Sequence, residues 1–370
     1  MLTLDPPSHP NPYPSYANLR QHGGLHYLEA PGLWVASDAA TVAEAFEQPA
    51  CHVRPHEEPV PATIADGPAG ELFGRLMRMN EGEAHQAPRR FLMPFLNALD
   101  DEEIARLTRY RLSASDVPAP SDAMFRVPVM VIAALLGCPP EHEAWLAAQT
   151  SRFVAGLNPL GTSVQREAAH RAAEALMATV SRFETLPTRA QGTLAPDILV
   201  ANLIGLLSQT HDATAGLIGN AMLALHARPS LRDALAHRPE GVATMIEEVE
   251  RHDPPVHSTQ RFVAASCQLG DTWLKPGDTV LVLTASANRD AALTPDADHF
   301  RLERRQRISF SFGAGRHHCP GRRLALGIAT HVITGLLERR EYVNTLHHQG
   351  YLPSRHGRIP RLTSTQEEHA

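Results

Sequence analysis

The stretch Phe312-Gly313-Ala314-Gly315-Arg316-His317-His318-Cys319-Pro320-Gly321 delivers one thiol at the mouth of an apolar segment that begins near Arg322 and reads as a helix. No other feature restricts the fold as tightly. Gly315 and Gly321 carry no side chain, so the backbone around Cys319 can pass close to a bulky neighbour without a clash. The sulfur stands just before a helix start, where unpaired N–H groups and the helix dipole favour a thiolate. Arg316 and His317 bring positive charge to the same loop, and Pro320 withholds one N–H that could otherwise point at the sulfur.

A flat iron macrocycle with a lone axial thiolate needs such a backbone beneath it. Two plainer assignments compete. A buried free cysteine is usually a small hydrophobe without chemistry, which is the expectation for Cys51, Cys138 and Cys267. The run His317-His318-Cys319 could suggest zinc, but a structural zinc site draws four ligands from spaced pairs, and no Cys-x-x-Cys or His-x-x-x-His partner stands nearby.

A second constellation separates these possibilities. Glu248 and Arg251 share a helical face and alone would read as a solvated ion pair. They are followed by His252-Asp253-Pro254-Pro255-Val256, Arg261, Asn288-Arg289-Asp290 and the run 300–304. In this order, and over nearly the whole chain, the motifs resemble those of the cytochrome P450 superfamily, the haem-thiolate monooxygenases. The resemblance implies haem b (iron protoporphyrin IX) with Cys319 as the iron ligand and Phe312, Gly313 and Gly321 as further cofactor-binding positions. It also implies that His317, Arg261 and the pair His85 and Arg89 serve the propionates. Glu248, Arg251 and Arg304 match the family's buried structural triad.

By the same resemblance, the apolar helix opened by Pro196 and closed before Pro229 crosses the distal face of the haem. Aligned on the family pattern, Asp212 takes the acidic position and Ala213 the place of the usual alcohol, while Gln209-Thr210 replaces a small Ala-Gly pair. Gln209, Asp212 and Ala213 are expected to line the distal pocket, with Val256 facing the substrate. In the family the acid and the alcohol order water for proton delivery, so Ala213 should weaken that relay. Gln209 or Thr210 could replace it, a substrate hydroxyl could order the water, or the enzyme could avoid splitting dioxygen. A register one residue off would make Thr214 or Thr210 the alcohol. Pro320 leaves a more electron-rich thiolate, which partly offsets a weak relay.

No Ser/Gly linker or charge block divides the 370 residues, so one haem domain over 1–370 is expected, and 43% hydrophobic content is ample for its core. The expected fold is mainly helical with small β-sheets. Helices are read over 39–46, 85–96, 102–112, 124–136, 141–157, 163–183 and 196–226, a hairpin over 24–36, and strands near 259–262, 267–269 and 279–283. The loop 50–70 and the region 157–192 should shape the substrate pocket. The longest apolar run, 127–138, is too short for a bilayer, no leader is visible, and four cysteines suit a reducing compartment. A soluble, cytoplasmic monomer of the bacterial type follows as the expectation. Net charge of -6 argues against nucleic acid. Arg301, Arg304, Arg305, Arg307, Arg316, Arg322 and Arg323 should make the proximal face positive, suited to an acidic ferredoxin or flavodoxin with its reductase. The expected reaction is insertion of one oxygen atom from O2 into a small or medium organic substrate. Peroxide-driven oxidation, oxidative coupling or rearrangement, and a non-catalytic haem sensor or carrier are the alternatives.

Overall fold

Side-chain caps and prolines set many of the helix ends. The Asp38 carboxylate accepts the Thr41 N–H at 2.9 Å and starts the helix Ala39–Glu47. Thr162 and Gln165 cap each other reciprocally at the start of Ser163–Val180. Pro196 and Pro229 each occupy the first turn of a helix, where a missing N–H costs nothing. The computed structural model describes residues 3–113, 119–183, 194–339 and 342–365.

The helix Pro196–His226 is 31 residues long and is buried on most sides. It runs through the middle of the molecule, against Val127–Leu135, Pro140–Leu157, Val242–His252 and Arg322–Leu337. Two glycines bring its backbone close to other segments. A Cβ on Gly216 would lie 2.7 Å from Pro255 Cβ, and one on Gly219 would lie 2.6 Å from Pro360 Cγ.

Beside this helical body a five-stranded sheet runs in the order Leu25–Leu28, Leu33–Ala36, Thr279–Val282, Thr259–Val263, Cys51–His52. Leu33–Ala36 and Thr279–Val282 are parallel and the other pairs antiparallel. Arg261 pairs with Val280 in this sheet, which fixes where its side chain leaves the backbone. Two hairpins, Cys267–Leu269 with Thr272–Leu274 and Leu346–Tyr351 with Pro360–Ser364, complete the strands.

The mainly helical class with small sheets is therefore as the sequence implies. Three details differ. The stretch 124–136 is not one α-helix: Val127 donates its N–H to Asp122 O across a π-turn, Asp122–Arg126, before Val127–Leu135 begins. Pro128, next in line, has no N–H to give, so the ladder is already broken there. The helix expected over 85–96 extends over Gly82–Ala98 with Pro88 and Pro94 inside it. The loop 50–70 is shorter than expected, because Cys51–His52 joins the sheet and Pro68–Gly74 is helical. Part of the pocket-shaping region 157–192 lies outside the described residues. Among the described residues no helix is long and apolar enough to cross a membrane.

The amino-terminal segment is tied to the carboxy-terminal hairpin. The Arg358 guanidinium donates to the carbonyls of Pro7 at 2.7 Å, His9 at 2.8 Å and Pro10 at 3.1 Å, and its Nε lies 2.9 Å from Asp253 Oδ1. Gly357, next to it, bridges to Val256.

Candidate active site

Cys319 lies at the end of a tight loop. Its N–H donates to Phe312 O at 2.9 Å, and Gly313 N–H donates to Phe310 O at 2.8 Å. Gly315 has φ 62°, and a Cβ there would meet Glu47 Oε1 at 2.9 Å, so two constraints exclude a side chain. Gly321 caps the helix Arg322–Leu337 and gives its N–H to the sulfur. The thiol pKa is nonetheless raised: burial outweighs the Gly321 N–H and the charges of Arg78, Arg89 and Arg322. The helix start alone thus does not lower it as the sequence suggested, and a cation bound to the sulfur would favour the thiolate.

Cys319 faces a cavity of about 290 Å³. A stripe of the long helix lines the same cavity: Leu206, Gln209, Thr210, Ala213, Thr214 and Leu217. Intervals of three and four are those of one helical face. Asp212 lies outside this stripe, and its expected place in the pocket is corrected: its side chain is 54% exposed and accepts from His211 Nδ1 at 2.7 Å. Thr210 donates its hydroxyl to Leu206 O at 2.8 Å, whereas Thr214 is 2% exposed and its hydroxyl makes no hydrogen bond among the described residues. The side wall includes Pro255, Val256, Ser258, Thr259 and Thr284.

Four cationic or imidazole groups named from the sequence, His85, Arg89, Arg261 and His317, all line the cavity. Arg89 donates to His318 O at 2.8 Å. His85 sets its nitrogens 2.9 Å from Met77 O and 3.0 Å from Arg316 O, and so braces the cysteine loop. Its ring centroid lies 4.1 Å from that of His317. Arg261 is 4% exposed, and among the described residues its Nε has no partner. A buried unpaired guanidinium N–H is costly unless an anion meets it. A propionate of haem fits that demand, and the glycine at 321, where a Cβ would come 3.9 Å from Cys319 Sγ, leaves the sulfur accessible to a ring.

Glu81, which carried no signal in the sequence, accepts from Arg316 Nε at 3.0 Å and lies 3.1 Å from His317 Nε2. Burial would raise its pKa, but hydrogen bonds from His317, Arg316 and the Val53 N–H hold it at about 2. Ser258, Met77, Arg78 and Met79 are further lining residues that no periodicity in the chain announced.

The Glu248 network stands behind the loop. Arg251 grips Glu248 through Nε at 3.0 Å and Nη2 at 2.7 Å, both side chains being fully buried. The remaining N–H groups of Arg251 hold the carbonyls of Asn288, Ala297 and His299. Arg304 Nε donates to Glu248 Oε1 at 3.1 Å. One carboxylate thereby pins the segment that leads into Cys319. The other cysteines are buried, and burial raises their pKa, Cys51 to about 12 and Cys138 to about 11. The expected basic proximal face is thinner than its arginine count suggests. Arg304 and Arg307 turn inward to Glu248, Arg316 pairs with Glu81, Arg301 with Asp296 and Arg322 with Glu250.

Residues 240–348 match the family model described as Cytochrome P450. The chain is 30% identical over 274 residues to mycinamicin IV hydroxylase/epoxidase of Micromonospora griseorubida, which covers 68% of each protein. The chain belongs to the cytochrome P450 family. A second P450 relative, vitamin D(3) 25-hydroxylase of Pseudonocardia autotrophica, is 29% identical over 347 residues, 85% of this chain and 83% of that one. Among solved structures, CalO2 superposes with a TM-score of 0.83 at 23% identity, covering 99% of both chains. CYP164A2 of Mycobacterium smegmatis gives a TM-score of 0.76 at 25% identity, over 97% of this chain and 96% of that one. This P450 is thus of the bacterial type, an oxidoreductase of the monooxygenase class that uses a haem-thiolate cofactor, O2 and a small-molecule substrate.

Proposed function

We propose that this P450 binds haem b through Cys319 and inserts one oxygen atom from O2 into a small or medium organic molecule, with electrons from a separate ferredoxin or flavodoxin system. The chain 1–370 acts as one haem domain and as a monomer in the cytoplasm. The observation that carries this reading is that Cys319 and the Leu206–Leu217 stripe line one cavity, together with Arg261, whose Nε has no partner among the described residues. When bound, haem supplies dioxygen activation and oxygen-atom transfer. The protein's own groups do the rest. Cys319 ligates the iron as thiolate, and Arg261, Arg89 and His317 neutralise the propionates, with His85 bracing them. Glu248, Arg251 and Arg304 hold the loop in place.

Thr214 is the alcohol that orders a water molecule beside the distal site. Its hydroxyl is the one on the stripe without an internal acceptor, and it replaces the group missing at Ala213. Asp212, exposed and paired with the buried His211, does not contact that water. Val256 and Gln209 bound the substrate.

The test pairs a spectrum with turnover. Wild-type protein, reduced under carbon monoxide, should give the red-shifted band of thiolate ligation, and Cys319→Ser should not; retention of that band in the variant overturns the assignment. Turnover with ferredoxin, its reductase and O2 should exceed turnover with hydrogen peroxide alone, and the reverse ranking would favour a peroxide-driven enzyme.

A further inference from the structure

One cation in the cavity has no place in the scheme above. Arg78 lines the cavity between Met77 and Met79, and among the described residues its side chain makes no hydrogen bond or ion pair. It is accessible, yet burial is the largest influence on its pKa and lowers it, with Cys319 acting in the opposite sense. Its place in the wall beside Met77, Met79 and Arg261 opens the guanidinium to the cavity. Near it stands a hydrogen-bonded pair. Ser258 is 3% exposed and lines the cavity, and its Oγ lies 2.8 Å from His356 Nδ1. His356 is held by its own N–H, which donates to Ser354 Oγ at 3.3 Å. Burial, with Arg355 and Arg78 nearby, brings its pKa down to about 4, so the ring is neutral at ordinary pH.

The propionates already have Arg261, Arg89 and His317 assigned to them. A further guanidinium in the cavity wall, without a partner among the described residues, calls for another anion. A guanidinium takes a carboxylate through two parallel N–H bonds, and a neutral serine hydroxyl beside it adds a third, directional contact. Ile132, Leu217, Pro255 and Val256 give the rest of the wall a hydrocarbon lining. We propose that Arg78, with Ser258 positioned by His356, forms a carboxylate-binding corner of the substrate pocket, so that the substrate is an organic acid with an apolar body. This rests on the P450 reading and adds the substrate's chemical class.

The experiment is a spin-state titration of the ferric holoenzyme with octanoic, dodecanoic and cinnamic acids, each compared with its primary amide. At least one acid should bind about tenfold or more tightly than its amide. Arg78→Gln should erase that preference while changing amide affinity less than about twofold, and Ser258→Ala should weaken acid binding severalfold. Arg78→Lys, which keeps the charge but loses the fork, should keep a reduced preference and serves if Arg78→Gln does not fold. Silence toward every acid up to its solubility limit, or amides binding as tightly as acids, overturns the proposal. So does faster haem loss from Arg78→Gln to excess apomyoglobin, since Arg78 would then serve a propionate. The carbon monoxide band of the same preparations reports separately on haem-thiolate ligation, so that reading can stand while this one falls.

Discussion

Arg251 and Glu248 are fully buried charges, tolerable because every exposed edge of the pair meets a partner: two N–H contacts between them, three backbone carbonyls, the Arg301 N–H and Arg304. Removing one partner leaves the other charged and unsatisfied. Glu248→Gln is therefore expected to lose about 3–5 kcal/mol of stability, measured by urea unfolding of the holoprotein. At Thr214 the effect is on chemistry. Thr214→Val should leave the fold intact but divert electrons into peroxide, read as a severalfold rise in hydrogen peroxide per electron pair consumed, whereas Ala213→Thr should lower it. The ligand Cys319 and the ion pair were legible in the chain because their partners stand at fixed local spacings. Asp212 was misplaced because an alignment assigns a position but not a helical face; the 206, 209, 210, 213, 214, 217 spacing would have excluded it. Glu81, Arg78 and Ser258 gave no signal, since each acquires its role from groups far away in sequence.

The long helix and its neighbours show how elements are placed. Its ends were legible, since Pro196 and Pro229 mark them, whereas its closest contacts were not. Gly216 is where the helix backbone meets Pro255, and a methyl group there would stand 2.7 Å from Pro255 Cβ. Gly216→Ala is expected to cost about 1–3 kcal/mol, seen in thermal melts, and to weaken ligand-induced spectral shifts because Pro255 and Val256 form the cavity wall. The π-turn at Asp122–Arg126 escaped the sequence reading for a related reason. Apolar periodicity continues through it, and only the missing N–H of Pro128 hints that the ladder changes pitch.

For the molecule as a whole, acid sensitivity should reside in its buried histidines. Burial lowers His257 from the usual 6.5 to about 4, and the ring is enclosed by Tyr13, Tyr16 and Asp253. His356 and His252 are held at about 4 in the same way. A group whose folded pKa lies below its unfolded one is protonated more readily in the unfolded chain. Stability should thus be complete above pH 6.5 and fall as pH drops towards 4, with His257 contributing on the order of 1–3 kcal/mol. Glu81, held at about 2 against its usual 4.5, adds a loss only below 4.5. Urea midpoints measured across this range should decline before carboxylates titrate, and His257→Gln should flatten the upper part of the slope.

The three carbonyls that Arg358 gathers from Pro7, His9 and Pro10 give the amino-terminal residues leverage over a cavity that they never touch. Because Arg358 adjoins Gly357, which bridges to Val256 in the cavity wall, a purification tag or trimmed start at this end is expected to alter ligand fit and not to be a neutral convenience.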